Sequence, residues 1–224
     1  MITLNLSRIH FPVTTLGPGR RIGIWFQGCS IRCPGCVSAD TWGTGKSGVS
    51  IDEIMKAISH WLPEANGITI SGGEPFDQPE ALIELLIQIR SKTNIDILVY
   101  SGHPFEKIVP VLNKCQGFID ALISDPYEEN TSQTLALRGS DNQRLHCLTP
   151  LGEARFRQFD RVLKDSDKTF DIMFDEEGSI WLAGIPKRND MRRLKTILEK
   201  EGHFAITTQD DRSLKRSSND SICS

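Results

Sequence analysis

The sequence predicts an α/β protein in which a parallel sheet is joined by helical crossovers. Short apolar runs recur at 21–27, 68–70, 95–100 and 118–123. Between them lie segments whose apolar residues repeat at helical spacing, and the joints are rich in Gly, Pro and Ser.

Arg21 to Gln27 reads as a short buried strand between Gly17-Pro18-Gly19 and Gly28. Ser50 is an N-cap with Glu53 three residues on, and Ile51, Ile54, Ile58 and Leu62 mark one face of a helix over 50–62, ended by Pro63. Ile68–Ile70 is the next strand, followed by the turn Ser71-Gly72-Gly73-Glu74-Pro75 and a helix from Pro79 with Leu82, Leu85, Leu86 and Ile89 on one side. A strand over 95–100, the turn Ser101-Gly102-His103-Pro104, a helix carrying Phe105, Ile108, Val111 and Leu112, and a strand over 118–123 continue the pattern. Residues 126–168 are polar with short apolar runs such as 145–148. Phe170–Phe174 and Ile180–Ile185 flank Asp175-Glu176-Glu177-Gly178 as a β-hairpin, and a helix over 190–201 ends at Gly202. The expected division is 1–150, a C-terminal extension over 151–207, and a polar tail over 208–224 without periodicity, read as disordered.

A net charge of -3 and a pI near 6.0 supply no broad positive field, so neither nucleic acid nor an acidic membrane is an expected partner. There is no basic start followed by an apolar run, and no stretch of about 18 apolar residues, so the expected location is the cytoplasm. Three of the six cysteines fall within residues 29–36, which favours metal ligation over disulfides.

The chemistry concentrates in Cys29-Ser-Ile-Arg-Cys33-Pro-Gly-Cys36. Thiolates this close can hold three corners of a cubane iron–sulfur cluster from one loop, and a missing fourth leaves one iron open for a substrate or cofactor. The alternative is zinc in a Cys3His site, an interaction module without catalysis; no His lies nearby and the next cysteine is Cys115.

This spacing, after the first strand of an alternating chain, resembles the radical S-adenosylmethionine (SAM) superfamily over roughly residues 2–147. The resemblance implies an incomplete parallel (β/α) barrel with a small hairpin-plus-helix extension at its C-terminus. It also implies a [4Fe-4S] cluster on Cys29, Cys33 and Cys36, whose open iron is chelated by SAM, and reductive cleavage of that cofactor to a 5′-deoxyadenosyl radical. Ser71-Gly72-Gly73-Glu74-Pro75 resembles the family's GGE turn, in which glycines let backbone approach the ligand and Glu74 accepts from the methionyl ammonium. Gly35, Gly72, Gly73, Glu74, Ser101 and Gly102 are the implied cofactor-binding residues.

Gly17-Pro18-Gly19-Arg20-Arg21, Thr41-Trp42 and Tyr100-Ser101-Gly102 resemble the activating enzymes of glycyl-radical proteins. Arg138-Gly139-Ser140-Asp141-Asn142-Gln143-Arg144 resembles a segment of the activase of anaerobic ribonucleotide reductase, and is a candidate docking surface. The implied partners are a glycyl-radical protein such as that reductase and a reducing protein such as flavodoxin. The other enzymatic reading is a radical SAM enzyme acting on a small molecule, similar to 7-carboxy-7-deazaguanine synthase, or on a peptide. Asp125-Pro126-Tyr127 is one residue shorter than the family's turn after the fourth strand, and Arg20 stands where an apolar residue is usual. Cys115, Cys147 and Cys223 read as free thiols, His103 as a solvent-facing turn residue, and Glu128-Glu129 as a solvated pair.

Overall fold

In a computed structural model the described residues are 2–44, 48–167, 169–174, 180–187 and 189–203. The polar tail expected over 208–224, with Cys223, lies outside them. The elements in order are β1 (Thr3–Leu4), β2 (Leu6–Val13), β3 (Arg21–Phe26), β4 (Val49–Ser50), α1 (Ile51–Ile58), β5 (Gly67–Gly72), α2 (Pro79–Arg90), β6 (Asp96–Tyr100), α3 (Phe105–Lys114), β7 (Ala121–Ser124), β8 (Arg144–Cys147), α4 (Pro150–Phe156), β9 (Phe170–Phe174), β10 (Ile180–Gly184) and α5 (Asp190–Lys200).

The main sheet has the order β2-β3-β5-β6-β7-β8. Its four central strands are parallel, as the alternation predicts. Both edges are antiparallel, a departure from the all-parallel expectation: β2 pairs with β3 and β8 with β7. The sequence alone predicts no strand over Leu6–Val13. That run mixes Arg8, His10 and Pro12 with apolar residues, and as an edge strand most of its residues are only half-buried. The helix expected over 50–62 stops at Ile58 and continues as turns. The strand expected over 118–123 begins at Ala121, because Phe118 and Asp120 instead accept hydrogen bonds from Arg90.

Period-2 alternation sends Ile22, Ile24, Ile68, Ile70, Ile97 and Val99 to one face, where α1, α2 and α3 cover them. α1 shows why the covering helices form. Ser50 accepts from the Glu53 amide at 3.3 Å while Glu53 accepts from the Ser50 amide at 3.0 Å, a reciprocal cap. Ile51, Ile54, Met55 and Ile58 then bury one stripe, each worth about 1.5–3 kcal/mol.

The opposite face carries Trp25, Leu98, Tyr100, Ala121 and Ile123. α4 closes its lower part through Phe156, and the β9–β10 hairpin lies against Val13, Leu16 and Trp25 through Ala183. The hairpin is anchored by Asp171, which accepts from the Thr14 amide at 2.6 Å and the Thr14 hydroxyl at 2.7 Å. At the N-terminal ends of the central strands Arg21 is fully buried, with Asp96 at 2.6 Å, and donates to Thr69 Oγ1 at 2.6 Å and the Ile68 carbonyl at 2.7 Å. This buried ion pair ties together β3, β5 and β6 at the end opposite the cysteines.

Candidate active site

The C-terminal ends of β3, β5 and β6 lie side by side, since Phe26 registers with Gly72 and Ile70 with Val99. Three turns therefore leave the sheet together, and their contacts build the site.

The first turn is the cysteine loop. Gly28, at φ 103°, donates to the Thr41 carbonyl at 2.7 Å, and the Cys29 amide donates to the Trp42 carbonyl at 3.3 Å. Thr41-Trp42 thus clamps the loop's entry. Arg32 and Gly35 have φ of 53° and 73°, which reverse the chain between the ligand positions. All three thiols are half-buried and line one cavity of about 460 Å³. Burial pushes the Cys33 thiol up, against a backbone hydrogen bond at Tyr127 that lowers it. Cys115 and Cys147 are free thiols packed among apolar residues of the two faces, as expected.

The second turn gives its glycines a structural reason of their own. A Cβ on Gly73 would overlap the Gly28 carbonyl oxygen and lie 2.6 Å from the Gly28 carbonyl carbon. One on Gly72 would overlap the backbone of Phe26. The glycines are required because this backbone runs directly against β3 and the entry of the cysteine loop. The Gly73 and Glu74 amides donate to the Phe26 and Gly28 carbonyls, each at 2.8 Å.

Glu74 is 1% exposed and joins the second turn to the third. Its Oε1 accepts from the Phe76 amide at 3.0 Å and the Ser101 hydroxyl at 2.9 Å, and its Oε2 from the Gly102 amide at 2.8 Å. Burial pushes its carboxyl up while those donors pull it down. A carboxylate has about four acceptor positions, so three are engaged and one, on Oε2, is left. Gly102 in turn packs against Ile31 of the cysteine loop: a Cβ there would meet Ile31 Cδ1 at 2.8 Å.

The implied cofactor residues Gly35, Gly72, Gly73, Glu74, Ser101 and Gly102 all line the cavity that the three cysteines line. Among the described residues no group of three or more His, Cys, Asp or Glu closes on a single metal ion. A cubane takes one thiolate per iron, so its ligands stand farther apart than those of one ion. Three thiols on one cavity wall, a nearby carboxylate with a spare acceptor and a glycine-rich floor fit a three-cysteine cluster with a zwitterionic ligand.

Two expectations are corrected. His103 is 6% exposed and not solvent-facing; its Nε2 lies 3.0 Å from Asp77 Oδ1. Glu128 and Glu129 are both exposed, as expected of a solvated pair, and Glu129 also lines the cavity beside Gly35. Arg138 is 3% exposed and donates to Asp160 at 2.7 Å, while Arg144 is held by Asp125 and Glu106, so Arg138 cannot contribute to a docking surface. Sequence reasoning also missed Asp77, Gln78 and the cavity-lining residues 182–187. Gln78 bridges the Asn5 backbone and the Gln27 carbonyl. Only its place after the GGE turn could have drawn attention to it.

Residues 15–146 match the family of 4Fe-4S single cluster domains, and this chain belongs to that family. It is similar to the anaerobic ribonucleoside-triphosphate reductase-activating protein of Enterobacteria phage T4, with 29% identity over 147 residues, covering 63% of this chain and 93% of the relative. The protein of the same name from Escherichia coli K12 is 27% identical over 148 residues, covering 62% and 96%. The pyruvate formate-lyase-activating enzyme of Clostridium pasteurianum is 36% identical over 101 residues, 42% of each chain. The resemblance read from the motifs therefore holds: the chain is a radical SAM enzyme of the glycyl-radical activating type, with a [4Fe-4S] cluster and SAM as cofactors.

Proposed function

We propose that this enzyme generates a glycyl radical on a partner protein, such as an anaerobic ribonucleotide reductase. The observation that carries the reading is the meeting of the three-cysteine loop, the GGE turn and the Ser101-Gly102 turn around one cavity, in a chain that spans nearly the whole length of two reductase-activating proteins.

Cys29, Cys33 and Cys36 would hold the cluster. Gly35, Gly72, Gly73, Glu74, Ser101 and Gly102 would form the wall against SAM, with the remaining acceptor position of Glu74 receiving the methionyl ammonium. When bound, the reduced cluster supplies the electron that cleaves SAM to a deoxyadenosyl radical. The chain's own work is to orient the ligand, keep water and other hydrogen donors out, and admit the target glycine. The main sheet serves as an incomplete barrel with its active end at the strand C-termini. The reducing partner would be a small redox protein such as flavodoxin, and the setting the cytoplasm. Among the described residues no helix is long and apolar enough to cross a membrane.

The extension, residues 151–207, supports a second reading. Leu182 to Lys187 line the same cavity as the cysteines, and such a wall could enclose a small molecule or a peptide. The deciding experiment is electron paramagnetic resonance on the reduced enzyme with SAM and a candidate partner. A glycyl-radical signal on the partner supports activation; stoichiometric consumption of a metabolite without a protein radical supports the second reading.

A further inference from the structure

Between the first and second cysteines, the Ser30 amide donates to Asp77 Oδ2 at 2.7 Å, and the Ser30 hydroxyl to Asp77 Oδ1 at 3.0 Å. Asp77 ends the short 3-10 helix Pro75–Asp77 that follows Glu74. His103 Nε2 lies 3.0 Å from Asp77 Oδ1, and Lys107 Nζ lies 3.1 Å from His103 Nδ1. A lysine ammonium offers only donors, so Nδ1 is the acceptor and Nε2 carries the proton that it gives to Asp77. The His103 amide donates to the Ser101 hydroxyl at 3.1 Å, and that hydroxyl donates to Glu74. The Asp77 amide donates to the Glu74 carbonyl at 3.1 Å, so Glu74, Ser101, His103 and Asp77 close a ring; from it Glu74 reaches the entry of the cysteine loop at Gly28, and Asp77 reaches the stretch between the first two cysteines. Its two oxygens grip one residue of that loop at a point where the chain has no ladder partner of its own.

We propose that Asp77 and His103 are positioning residues for the cysteine loop: Asp77 fixes Ser30, and through it the spacing of Cys29 and Cys33, while the His103 ring, held by Lys107, fixes Asp77. The inference rests on the reading of these cysteines as cluster ligands. Outer-shell hydrogen-bond partners of metal ligands typically carry roughly ten- to a hundredfold in activity or metal affinity, because they set ligand orientation.

The test uses the full chain in two forms. In the apo protein, deuterium exchange of the Ser30 amide, followed by nuclear magnetic resonance, should be slow in the wild type. It should be at least about tenfold faster in Asp77→Ala and in His103→Leu. In His103→Gln, where the amide nitrogen can stand in for Nε2, it should be restored. In the reconstituted enzyme the same order should appear in reductant-driven SAM cleavage, lowered about tenfold or more in Asp77→Ala and His103→Leu, and in a changed resonance spectrum of the reduced cluster. Unchanged Ser30 exchange in Asp77→Ala would overturn the proposal. Should Asp77→Ala not fold, the His103 pair decides: equal defects in His103→Leu and His103→Gln would reduce His103 to packing and overturn it. Altered exchange with normal cleavage and spectrum would separate the loop anchor from the cluster, and would also overturn it. Normal Ser30 anchoring in a chain that never binds iron would instead refute the cluster reading.

Discussion

Replacing Gly73 with Ala separates a fold-imposed glycine from a ligand-imposed one. The added Cβ would overlap the Gly28 carbonyl oxygen and lie 2.6 Å from the carbonyl carbon and 3.0 Å from the nitrogen of that residue, all backbone atoms. No side-chain rotation relieves this, so the two strands of chain must part. Overpacking costs about 1–3 kcal/mol. The Gly73 and Glu74 amide hydrogen bonds to Phe26 and Gly28, each 2.8 Å, lie on the same seam, and their loss adds about 1 kcal/mol apiece. The expected destabilisation is about 3–5 kcal/mol, measured by urea unfolding of the anaerobic apo protein. Iron content after reconstitution should fall as well, because Gly28 precedes Cys29. Gly28→Ala is the control: its Cβ meets nothing within 4 Å, and only the φ of 103° is unfavourable, so roughly 1–2 kcal/mol is expected. A Gly73→Ala protein with wild-type unfolding and full iron, but weakened SAM binding, would show that the ligand and not the fold requires the glycine.

Cys29→Ala, Cys33→Ala and Cys36→Ala should each abolish cluster loading, while Cys115→Ala and Cys147→Ala keep iron near the wild-type level; proportional iron loss in either of the last two would reveal a further ligand. Asp96→Ala strands the fully buried Arg21 and should cost about 3–5 kcal/mol in urea unfolding, against under 1 kcal/mol for loss of the exposed Arg20–Glu64 pair. Glu74→Gln keeps the shape but leaves one oxygen for three donors, so the apo chain should lose about 1–3 kcal/mol, which chemical unfolding measures. Arg161 holds the Asp167 carboxyl at about 2, and Arg144 and Ser124 outweigh burial to lower Asp125. The unfolded chain then binds more protons in acid, so stability from these groups is present above the ordinary carboxyl range and lost as pH falls through the folded values. Unfolding midpoints should fall from pH 4 toward pH 2, and Arg161→Ala should weaken that slope.

Legibility followed the range of the interactions. The parallel strands and α1, α2 and α3 were readable because local periodicity is what buries them, and the cysteine spacing was readable because one loop carries all three thiols. β2 was not readable: its pairing with β3 is set by sheet contacts, while Arg8 and His10 interrupt its apolar pattern. The engagement of Glu74, the burial of His103 and the pairing of Arg138 with Asp160 depend on partners more than 20 residues away in the chain, which no spacing rule encodes. The two strands of the hairpin were legible from their apolar runs, while the expected turn at 175–178 lies outside the described residues; the Asp171 anchor at Thr14 and the place on the cavity wall were not legible.

If the three turns around the cavity serve radical transfer to another protein, the radical must be detectable on that protein. The most direct test is electron paramagnetic resonance of an anaerobic mixture of reconstituted enzyme, reductant, SAM and the glycyl-radical reductase of the same cell. A glycyl-radical signal should appear on the reductase, with matching deoxyadenosine, and disappear with Cys33→Ala. Deoxyadenosine formed in step with a consumed metabolite, with no protein radical, would contradict radical transfer to a protein.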